Sequence, residues 1–387
     1  MKRAAMLCVP AALLGLALTG CQDKQGPAEI AAPASRNAAA GIEQSAVPFS
    51  EGGEQGAVYT ISNEAFGNNV LRFARSASGT LTPTGSFATG GTGSGSGLGS
   101  QGALVLGREY LYAVNAGSND VSVLAVDGGG LHVVSKVSSG GTQPISLTVH
   151  GNLLFVLNAG GSGNISGFIG AAHGVLSPLP GSIKPLSGPA VGPAEVAFSP
   201  DGETLVVTEK NTQKIDTYQV EGYGGVSGPD VQNSAGQTPF GFAFSPEGRL
   251  VVSEATQSTL SSYRLVHDGD LKLVSGQVPD HQAAACWVAI SGDGKFAYTA
   301  NAASKNVSGY RLSPGGKLTL FGDGGITGTV DSKPLDMATD RNSDFLYVLN
   351  AVGHTITGYR INGGTGGLSP LGKFGVLPVS ASGLAAN

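Results

Sequence analysis

Two glutamates, Glu209 and Glu254, occupy a repeated position that holds asparagine elsewhere in the chain. The asparagines at the equivalent positions are Asn63, Asn115, Asn158, Asn301 and Asn350. An asparagine side chain can cap a turn, whereas an ionised carboxylate has no donor and does this less well. A carboxylate beside a pocket can act as a general base that activates water at a carbonyl carbon. We therefore predict that Glu209 and Glu254 are catalytic; the alternative is that both are solvated acids without a chemical role.

Five further residues are candidate binding groups on the same face as the two glutamates. They are Lys210, Phe240, Trp287, Lys333 and Asp336, with Asp336 placed just inside that face. Phe240 and Trp287 could form an aromatic wall for a ligand. The alternative is that the single tryptophan packs between structural units, because tryptophan is usually buried for packing.

Several classes of site are not indicated. The six histidines are His132, His150, His173, His267, His281 and His354, and none shows the His-x-x-x-His spacing of metal ligands. We therefore expect neither a metal nor a cofactor. The formal charge is −5 and no cluster of Lys and Arg exists, which argues against nucleic acid as a partner. The Gly/Ser-rich run 90–99 does not lie between a strand and a helix, so it is interpreted as a flexible loop rather than a phosphate loop.

The elements that position these residues belong to a repeat. Residues 345–350 form an apolar run that ends at Asn350, and residues 355–361 alternate apolar and polar side chains with a period of two, as a half-buried strand does. The same pattern recurs six more times at separations of 43 to 52 residues. Repeats of this length indicate solenoids, propellers or arrays.

Each repeat contains four predicted strands. A strand such as 195–198 precedes the apolar run, and the turn between them reads Ser-Pro-Asp-Gly at 199–202. A short strand after a glycine completes the unit. Four antiparallel strands per repeat are typical of a propeller blade, so the sequence predicts an all-β, seven-bladed β-propeller over residues 57–387. That part begins on a second strand and ends, at 382–387, on an unpartnered first strand, which is predicted to close the ring.

The N-terminal segment predicts export. Lys2 and Arg3 precede an apolar stretch from 4 to 18, which ends in Leu-Thr-Gly-Cys at 18–21 and resembles a bacterial lipobox. The sequence thus predicts a lipoprotein signal peptide at 1–20, a lipidated Cys21 and a disordered tether over 21–56, rich in Ala, Pro, Gln and Gly. The alternative is an ordinary signal peptide cleaved nearby. Acyl chains on Cys21 would hold the protein at a membrane of the bacterial cell envelope.

The repeat itself resembles a known family. The unit apolar-Tyr-Val-x-Asn, followed by Val/Ile-Ser-x-Tyr-Arg and then Gly-x-Leu, resembles the Tyr-Val-Thr-Asn repeat proteins. It is more closely similar to the seven-bladed lactonases, which include 6-phosphogluconolactonases and carboxymuconate cyclases. The resemblance implies catalysis by a Glu, a His and Arg residues at one channel mouth. Glu209 matches the Glu, but residues 192–195 lack the His, and Lys210 and Lys214 are the nearest cations.

Two functions follow from these patterns. The first is an exported lactonase-like hydrolase, with Glu209 and Glu254 near the reacting group and Lys210 or Lys333 as the electrostatic stabiliser. Export argues against 6-phosphogluconolactone as its substrate, since that compound is a cytosolic metabolite. The second is a non-catalytic envelope propeller that binds a small molecule, glycan or protein on the same face. In either case we expect a monomer.

Overall fold

A computed structural model describes residues 54–128, 130–221, 225–266 and 269–387. The predicted signal peptide, Cys21 and nearly all of the predicted tether lie outside the described residues, so those assignments stay predictions. No helix in the described ranges is both long and apolar enough to cross a membrane.

The regular secondary structure of the described chain is almost entirely β-strand, and the strands form seven antiparallel sheets. In chain order the strands are β1 (Gly56–Ile61), β2 (Asn69–Arg75), β3 (Leu81–Ala88), β4 (Leu104–Leu106), β5 (Tyr110–Asn115), β6 (Asp120–Asp127), β7 (Gly130–Ser138), β8 (Pro144–His150), β9 (Leu153–Asn158), β10 (Asn164–Ile169), β11 (Ser177–Pro178), β12 (Lys184–Pro185), β13 (Pro193–Phe198), β14 (Thr204–Glu209), β15 (Lys214–Val220), β16 (Val226–Asn233), β17 (Pro239–Phe244), β18 (Arg249–Glu254), β19 (Thr259–Leu265), β20 (Leu271–Pro279), β21 (Ala285–Ile290), β22 (Phe296–Asn301), β23 (Asn306–Leu312), β24 (Leu318–Thr329), β25 (Asp336–Thr339), β26 (Phe345–Asn350), β27 (Thr355–Ile361), β28 (Leu368–Phe374) and β29 (Ser382–Ala386). Short 3-10 turns occupy Ala171–His173 and Ala351–Gly353.

Each sheet is one blade, which confirms the predicted seven-bladed propeller. Blade 1 has the order β29-β1-β2-β3, and blades 2 to 7 begin with β4, β8, β13, β17, β21 and β25. In blade 3 the fourth strand is divided between β11 and β12, both of which pair with β10.

The apolar run of each repeat becomes the second strand of its blade. All six residues of β14 are buried, whereas β16, the outermost strand of the same blade, is mostly exposed or half-buried. The second strand lies inside the blade and packs against the neighbouring blades on both faces, so it needs a continuous apolar sequence. The outer strand is in contact with solvent, so it does not need a continuous apolar sequence.

The C-terminal strand closes the ring, as predicted. In β29, Leu384 and Ala385 pair with Thr60 and Tyr59 of β1. The side chain of Asn387 accepts a hydrogen bond from the Ala57 amide at 2.6 Å. The two ends of the described propeller are thereby fastened in one sheet.

The loop after the second strand of a blade lies beside the loop that enters its first strand. Backbone hydrogen bonds join Lys210 N to Gly192 O at 3.0 Å and Ala255 N to Thr238 O at 3.0 Å. These loops form one end of the propeller, which we call the mouth face. Glu209 and Glu254 end their strands at this face, as the sequence predicts.

Candidate functional site

The asparagine of the repeat ties two strands together at the mouth face. In three blades its Nδ2 donates to a hydroxyl seven residues later, on the third strand. The pairs are Asn115 with Ser122, Asn301 with Ser308 and Asn350 with Thr357, each at 2.8 Å. All six side chains are buried. The repeated asparagine is therefore a structural residue that satisfies buried polar groups where the second strand ends.

Glu254 takes the place of this asparagine in blade 5. Its carboxylate accepts hydrogen bonds from Thr259 Oγ1 at 2.6 Å, from Gly236 N at 2.6 Å and from Ser234 Oγ at 3.1 Å. Burial raises the pKa of Glu254, while these donors and Ser261 lower it. Blade 5 thus uses an acceptor with several donors where other blades use an amide donor.

Glu209 lies at the same position in blade 4, in a different environment. Its Oε2 accepts from Ser187 Oγ and from Thr212 Oγ1, both at 2.5 Å, and its Oε1 accepts from Ser187 N at 3.0 Å. The same Ser187 N lies 3.0 Å from Asp216 Oδ2. The Ser187 amide thus lies between the two carboxyl groups, and both side chains are 0% exposed.

The pKa of Asp216 is raised by its surroundings. Burial, and then the adjacent Glu209, raise the pKa of Asp216 from 3.8 to about 8. Ser187 N and the charge of Lys214 oppose this rise. Burial beside a second carboxyl group therefore favours the protonated form of Asp216.

Sequence reasoning did not select Ser187 or Asp216. Asp216 occupies the position seven residues after Glu209, where the other blades just described place Ser or Thr. Ser187 contacts Glu209 in blade 4 at the place where Gly91 contacts Asn115 in blade 2. A Cβ on Gly91 would lie 2.4 Å from the Asn115 side chain. A comparison of the repeats position by position would have found Asp216.

The mouth of the central channel is covered by residues 97–101, which we call the strap. The strap belongs to the Gly/Ser-rich connection between blades 1 and 2. The Gln101 side chain donates to Val288 O at 2.9 Å and to Phe242 O at 3.2 Å, and it accepts from Val288 N at 2.9 Å. Ser100 Oγ donates to Ile145 O at 2.7 Å. The strap is thus bonded to the inner strands of blades 3, 5 and 6.

The same connection is hydrogen-bonded before the strap begins. Gly95 N donates to Asn63 O at 2.9 Å, and Ser94 N donates to Asn63 Oδ1 at 3.0 Å. The structure therefore differs from the sequence interpretation of 90–99 as a flexible loop. Its glycines allow close approach: a Cβ on Gly93 would lie 2.1 Å from the Asn63 carbonyl carbon.

Three of the predicted binding residues pack beneath the strap. Lys210 Nζ donates to Gly99 O at 2.7 Å and lies 5.1 Å from the centre of the Phe240 ring. Burial lowers the pKa of Lys210 to about 8. Phe240 and Trp287 meet edge to face at 5.1 Å, and Trp287 Nε1 donates to Ser100 O at 2.9 Å. Both rings are buried, so a ligand could reach them only if the strap moved.

Lys333 lines a small cavity at the edge of the strap. The cavity has a volume of about 20 Å³, enough for one water molecule. Its walls are residues 97–100, Trp287, Lys333, Leu335 and Ser382. Lys333 and Lys210 therefore approach the strap from different blades. The two glutamates do not line this cavity.

Asp336 and Glu195 place carboxyl groups inside the channel. Asp336 Oδ2 accepts from Leu384 N at 3.0 Å, and Glu195 Oε2 accepts from Phe242 N at 2.7 Å. Each bond joins the first strands of adjacent blades. Burial raises the pKa of Asp336 to about 8 and raises that of Glu195 well above its usual range, with Asp336 adding to the latter. Sequence reasoning did not select Glu195, which lies within an otherwise apolar strand.

No group of three or more His, Cys, Asp or Glu side chains within the described ranges could hold a metal ion.

The chain is similar to known lactonases in sequence and in fold. A family model described as a seven-bladed β-propeller lactonase matches residues 174–288 and 272–381, which together exceed half of the chain. Among proteins with curated descriptions, none matches.

Solved structures share the propeller. A candidate 6-phosphogluconolactonase from Bacteroides fragilis aligns with a TM-score of 0.71 at 20% identity, over 86% of this chain and 98% of that chain. A periplasmic gluconolactonase from Pseudomonas aeruginosa aligns with a TM-score of 0.69 at 19% identity, over 85% and 99%. A virginiamycin B lyase from Staphylococcus aureus aligns with a TM-score of 0.51 at 12% identity, over 71% and 83%. At these identities the likeness shows the fold alone.

Proposed function

Because the chain belongs to the seven-bladed β-propeller lactonase family, we propose that it is a hydrolase that opens a lactone of a sugar acid or another organic acid. The reaction takes place at the mouth face. Glu209 is the general base, which removes a proton as the nucleophile attacks the carbonyl carbon.

The observation that supports this proposal is the hydrogen bonding of Glu209. Its carboxylate accepts from the half-buried Ser187 hydroxyl at 2.5 Å, and the Ser187 amide lies 3.0 Å from both Glu209 Oε1 and Asp216 Oδ2. A base needs a proton donor within hydrogen-bond distance, and the Ser187 hydroxyl is such a donor. The raised pKa of Asp216 favours an acid rather than a second carboxylate beside Glu209.

The other predicted site residues have lesser roles in this proposal. Glu254 is a weaker candidate base, since the hydrogen bonds described for it come from donors within blade 5 and the loop before it. Lys210 and Lys333 supply positive charge for a developing oxyanion or an acidic substrate. Phe240, Trp287 and Asp336 form the wall and floor of a ligand site that opens when the strap is displaced.

We also propose that the protein is exported to the bacterial cell envelope and held at a membrane by lipid on Cys21. The fold is shared with a Pseudomonas aeruginosa protein described as a periplasmic gluconolactonase, which supports this location. An enzyme in the envelope would meet unphosphorylated lactones, because sugar phosphates are largely confined to the cytosol.

A second candidate function is ligand binding without catalysis. The strap favours it, because the cavity at the channel mouth holds about 20 Å³ and leaves no room for a sugar lactone. A protein of this kind would present the strap and the surrounding mouth-face loops to a small molecule, a glycan or a protein partner. The two functions differ in whether a bond is broken.

A lactone panel tests the proposed function. Purified protein is assayed against sugar-acid and aliphatic lactones, with release of acid followed above the spontaneous rate. We expect turnover that falls on the order of 100-fold or more in Glu209→Gln, the usual loss for a general base. Glu254→Gln is the matched control and should retain most activity. Absence of turnover on every lactone, with a folded protein that still binds a ligand, would favour the second candidate.

A further inference from the structure

We propose that the nucleophile is the hydroxyl of Ser187, so that the reaction proceeds through an acyl group on this serine and extends to acyclic esters. The proposal rests on the proposed function in taking Glu209 as the base. It adds an attacking atom, a covalent intermediate and a broader substrate class.

The repeats supply an internal reference for this cluster. Blade 2 has Gly91 in contact with Asn115, which is bonded to Ser122. Blade 4 replaces the glycine by Ser187, the asparagine by Glu209 and the serine by Asp216. Blade 5 replaces only the asparagine, since it keeps Gly236 and Ser261 around Glu254.

The three residues of blade 4 that differ from blade 2 are far apart in sequence, but they meet in one hydrogen-bonded cluster. Ser187 lies 22 residues before Glu209 and 29 before Asp216. Unrelated surface changes would not be expected to converge on the same three contacting positions. A hydroxyl and two carboxyl groups in this order match an activated nucleophile, its base and a group that orients the base.

Accessibility distinguishes the serine from the two acids. Glu209 and Asp216 are 0% exposed, so neither carboxyl group can touch a substrate directly. Ser187 is half-buried, and residues 189 and 190 beside it are exposed. The hydroxyl is therefore the group of this cluster through which the base can act on a bound ester.

The orientation of the base is fixed on several sides. Thr212 Oγ1 and Ser187 Oγ both donate to Oε2 of Glu209, and Ser187 N donates to Oε1. Among the described residues, the buried Asp216 Oδ1 has no hydrogen-bond partner, and the carboxyl group of Glu209 is its polar neighbour. Such restraint keeps the Ser187 proton aimed at the carboxylate.

The chemical step balances with water as the co-reactant. Ser187 Oγ bonds to the carbonyl carbon while its proton passes to Glu209. The bond from that carbon to the alkoxy oxygen then breaks, and the alkoxy oxygen takes the proton from Glu209. With a lactone the new hydroxyl stays on the acyl chain. Water next attacks the acyl ester, gives a proton to Glu209, and Ser187 leaves with that proton, releasing the acid.

A fluorophosphonate probe tests the nucleophile directly. Such a probe phosphonylates activated serines with loss of fluoride. The full chain in detergent is treated with the probe, and the modified peptide is identified by mass spectrometry. We expect a single label on Ser187, no label on that peptide in Ser187→Ala, and at least tenfold slower labelling in Glu209→Gln. Ser234→Ala is the matched control, because Ser234 Oγ is bonded to Glu254 in blade 5.

Two variants keep the test independent of folding. Ser187→Gly restores the residue of blade 2, and the triple change Ser187→Gly, Glu209→Asn, Asp216→Ser restores its whole cluster. Both should melt at or above the temperature of the natural protein while losing labelling and at least 100-fold of any ester or lactone turnover.

The outcomes separate this inference from the proposed function. Lactone turnover that survives in folded Ser187→Gly, without a label on Ser187, would overturn the nucleophile and leave Glu209 acting on water. A label on Ser187 that depends on Glu209, without turnover of any lactone, would support the nucleophile and refute the lactonase. A folded protein with neither label nor turnover would overturn both.

Discussion

Replacement of Asp216 by serine should change how stability depends on pH. The fold raises the pKa of this carboxyl from 3.8 to about 8. A raised pKa means that the folded state prefers the protonated acid, whereas the unfolded chain ionises above pH 3.8. Folding then takes up a proton between these two values, so the free energy of unfolding falls as the pH rises through that window.

The size of the effect follows from the shift. At ~1.4 kcal/mol for each pH unit, the penalty is about 4 kcal/mol at pH 7 and approaches about 6 kcal/mol above pH 8. Asp216→Ser removes it and gives Glu209 the serine partner that Glu254 has in blade 5. We expect the variant to match the natural protein in stability near pH 4 and to exceed it by several kcal/mol at pH 8.

Urea denaturation at pH 4, 6, 7 and 8.5 measures the difference between the two proteins. The groups that act on Asp216 are Glu209, Lys214 and the Ser187 amide, and all are kept in the variant. Asp230→Ser is the control, because Asp230 is an exposed residue of β16 in the same blade. Parallel pH curves for the natural protein and Asp216→Ser would refute the raised pKa of Asp216 and the pH-dependent penalty derived from it.

Three further predictions concern the strap, the clasp and the channel. Gln101→Ala removes three hydrogen bonds across the mouth. It should raise acrylamide quenching of Trp287, the only tryptophan, at least twofold. Equal quenching in the variant and the natural protein would show that the strap stays in place. Deletion of residues 382–387 removes β29 and should lower the melting temperature sharply, whereas an unchanged melting curve would contradict closure by this strand. Gly241→Ala would place a Cβ 2.3 Å from Gln101 Oε1 and 2.6 Å from a backbone oxygen of the neighbouring blade. This clash should lower the free energy of unfolding by ~1–3 kcal/mol in denaturation experiments. Gly67 lies in open space, so Gly67→Ala should leave that free energy unchanged.

The fold could be read from the sequence because its signals are local. The apolar run that ends at Asn350 and the Pro-Asp-Gly turn at 200–202 each specify structure within a few residues. Because the same local signals occur in seven repeats, the prediction does not depend on any one of them. The unpartnered strand at the C-terminus predicted ring closure because a propeller cannot leave an edge open. The first strand, β1, begins at Gly56.

The site was harder to predict because its contacts are remote in sequence. Lys210 is bonded to a residue 111 positions away, and Gln101 to one 187 positions away. A Gly/Ser-rich segment carries no periodic pattern that would indicate its place across the channel. Ser187 lies in a Pro/Gly-rich connection whose length differs from that of other blades, so the repeat register is lost there. Glu195 lies within an apolar strand, and its hydrogen-bond partner is a backbone amide of the next blade. No polar residue near it in sequence therefore indicates its role.

The contrast between blades 4 and 5 shows why one glutamate is the stronger candidate. Both carry the same change from asparagine, and both carboxylates are buried. In blade 5 the surrounding glycine and serine are unchanged, and the glutamate is satisfied by donors of ordinary strength. In blade 4 a second acid is added, at a penalty of about 4 kcal/mol at pH 7 where an Asn–Ser pair serves in blade 2 at no such penalty. Residues that break a local structural rule at a net loss of stability are expected at functional sites. That criterion supports the proposal that Ser187, Glu209 and Asp216 form the reactive cluster, and it makes Glu254 the weaker of the two predicted catalytic glutamates.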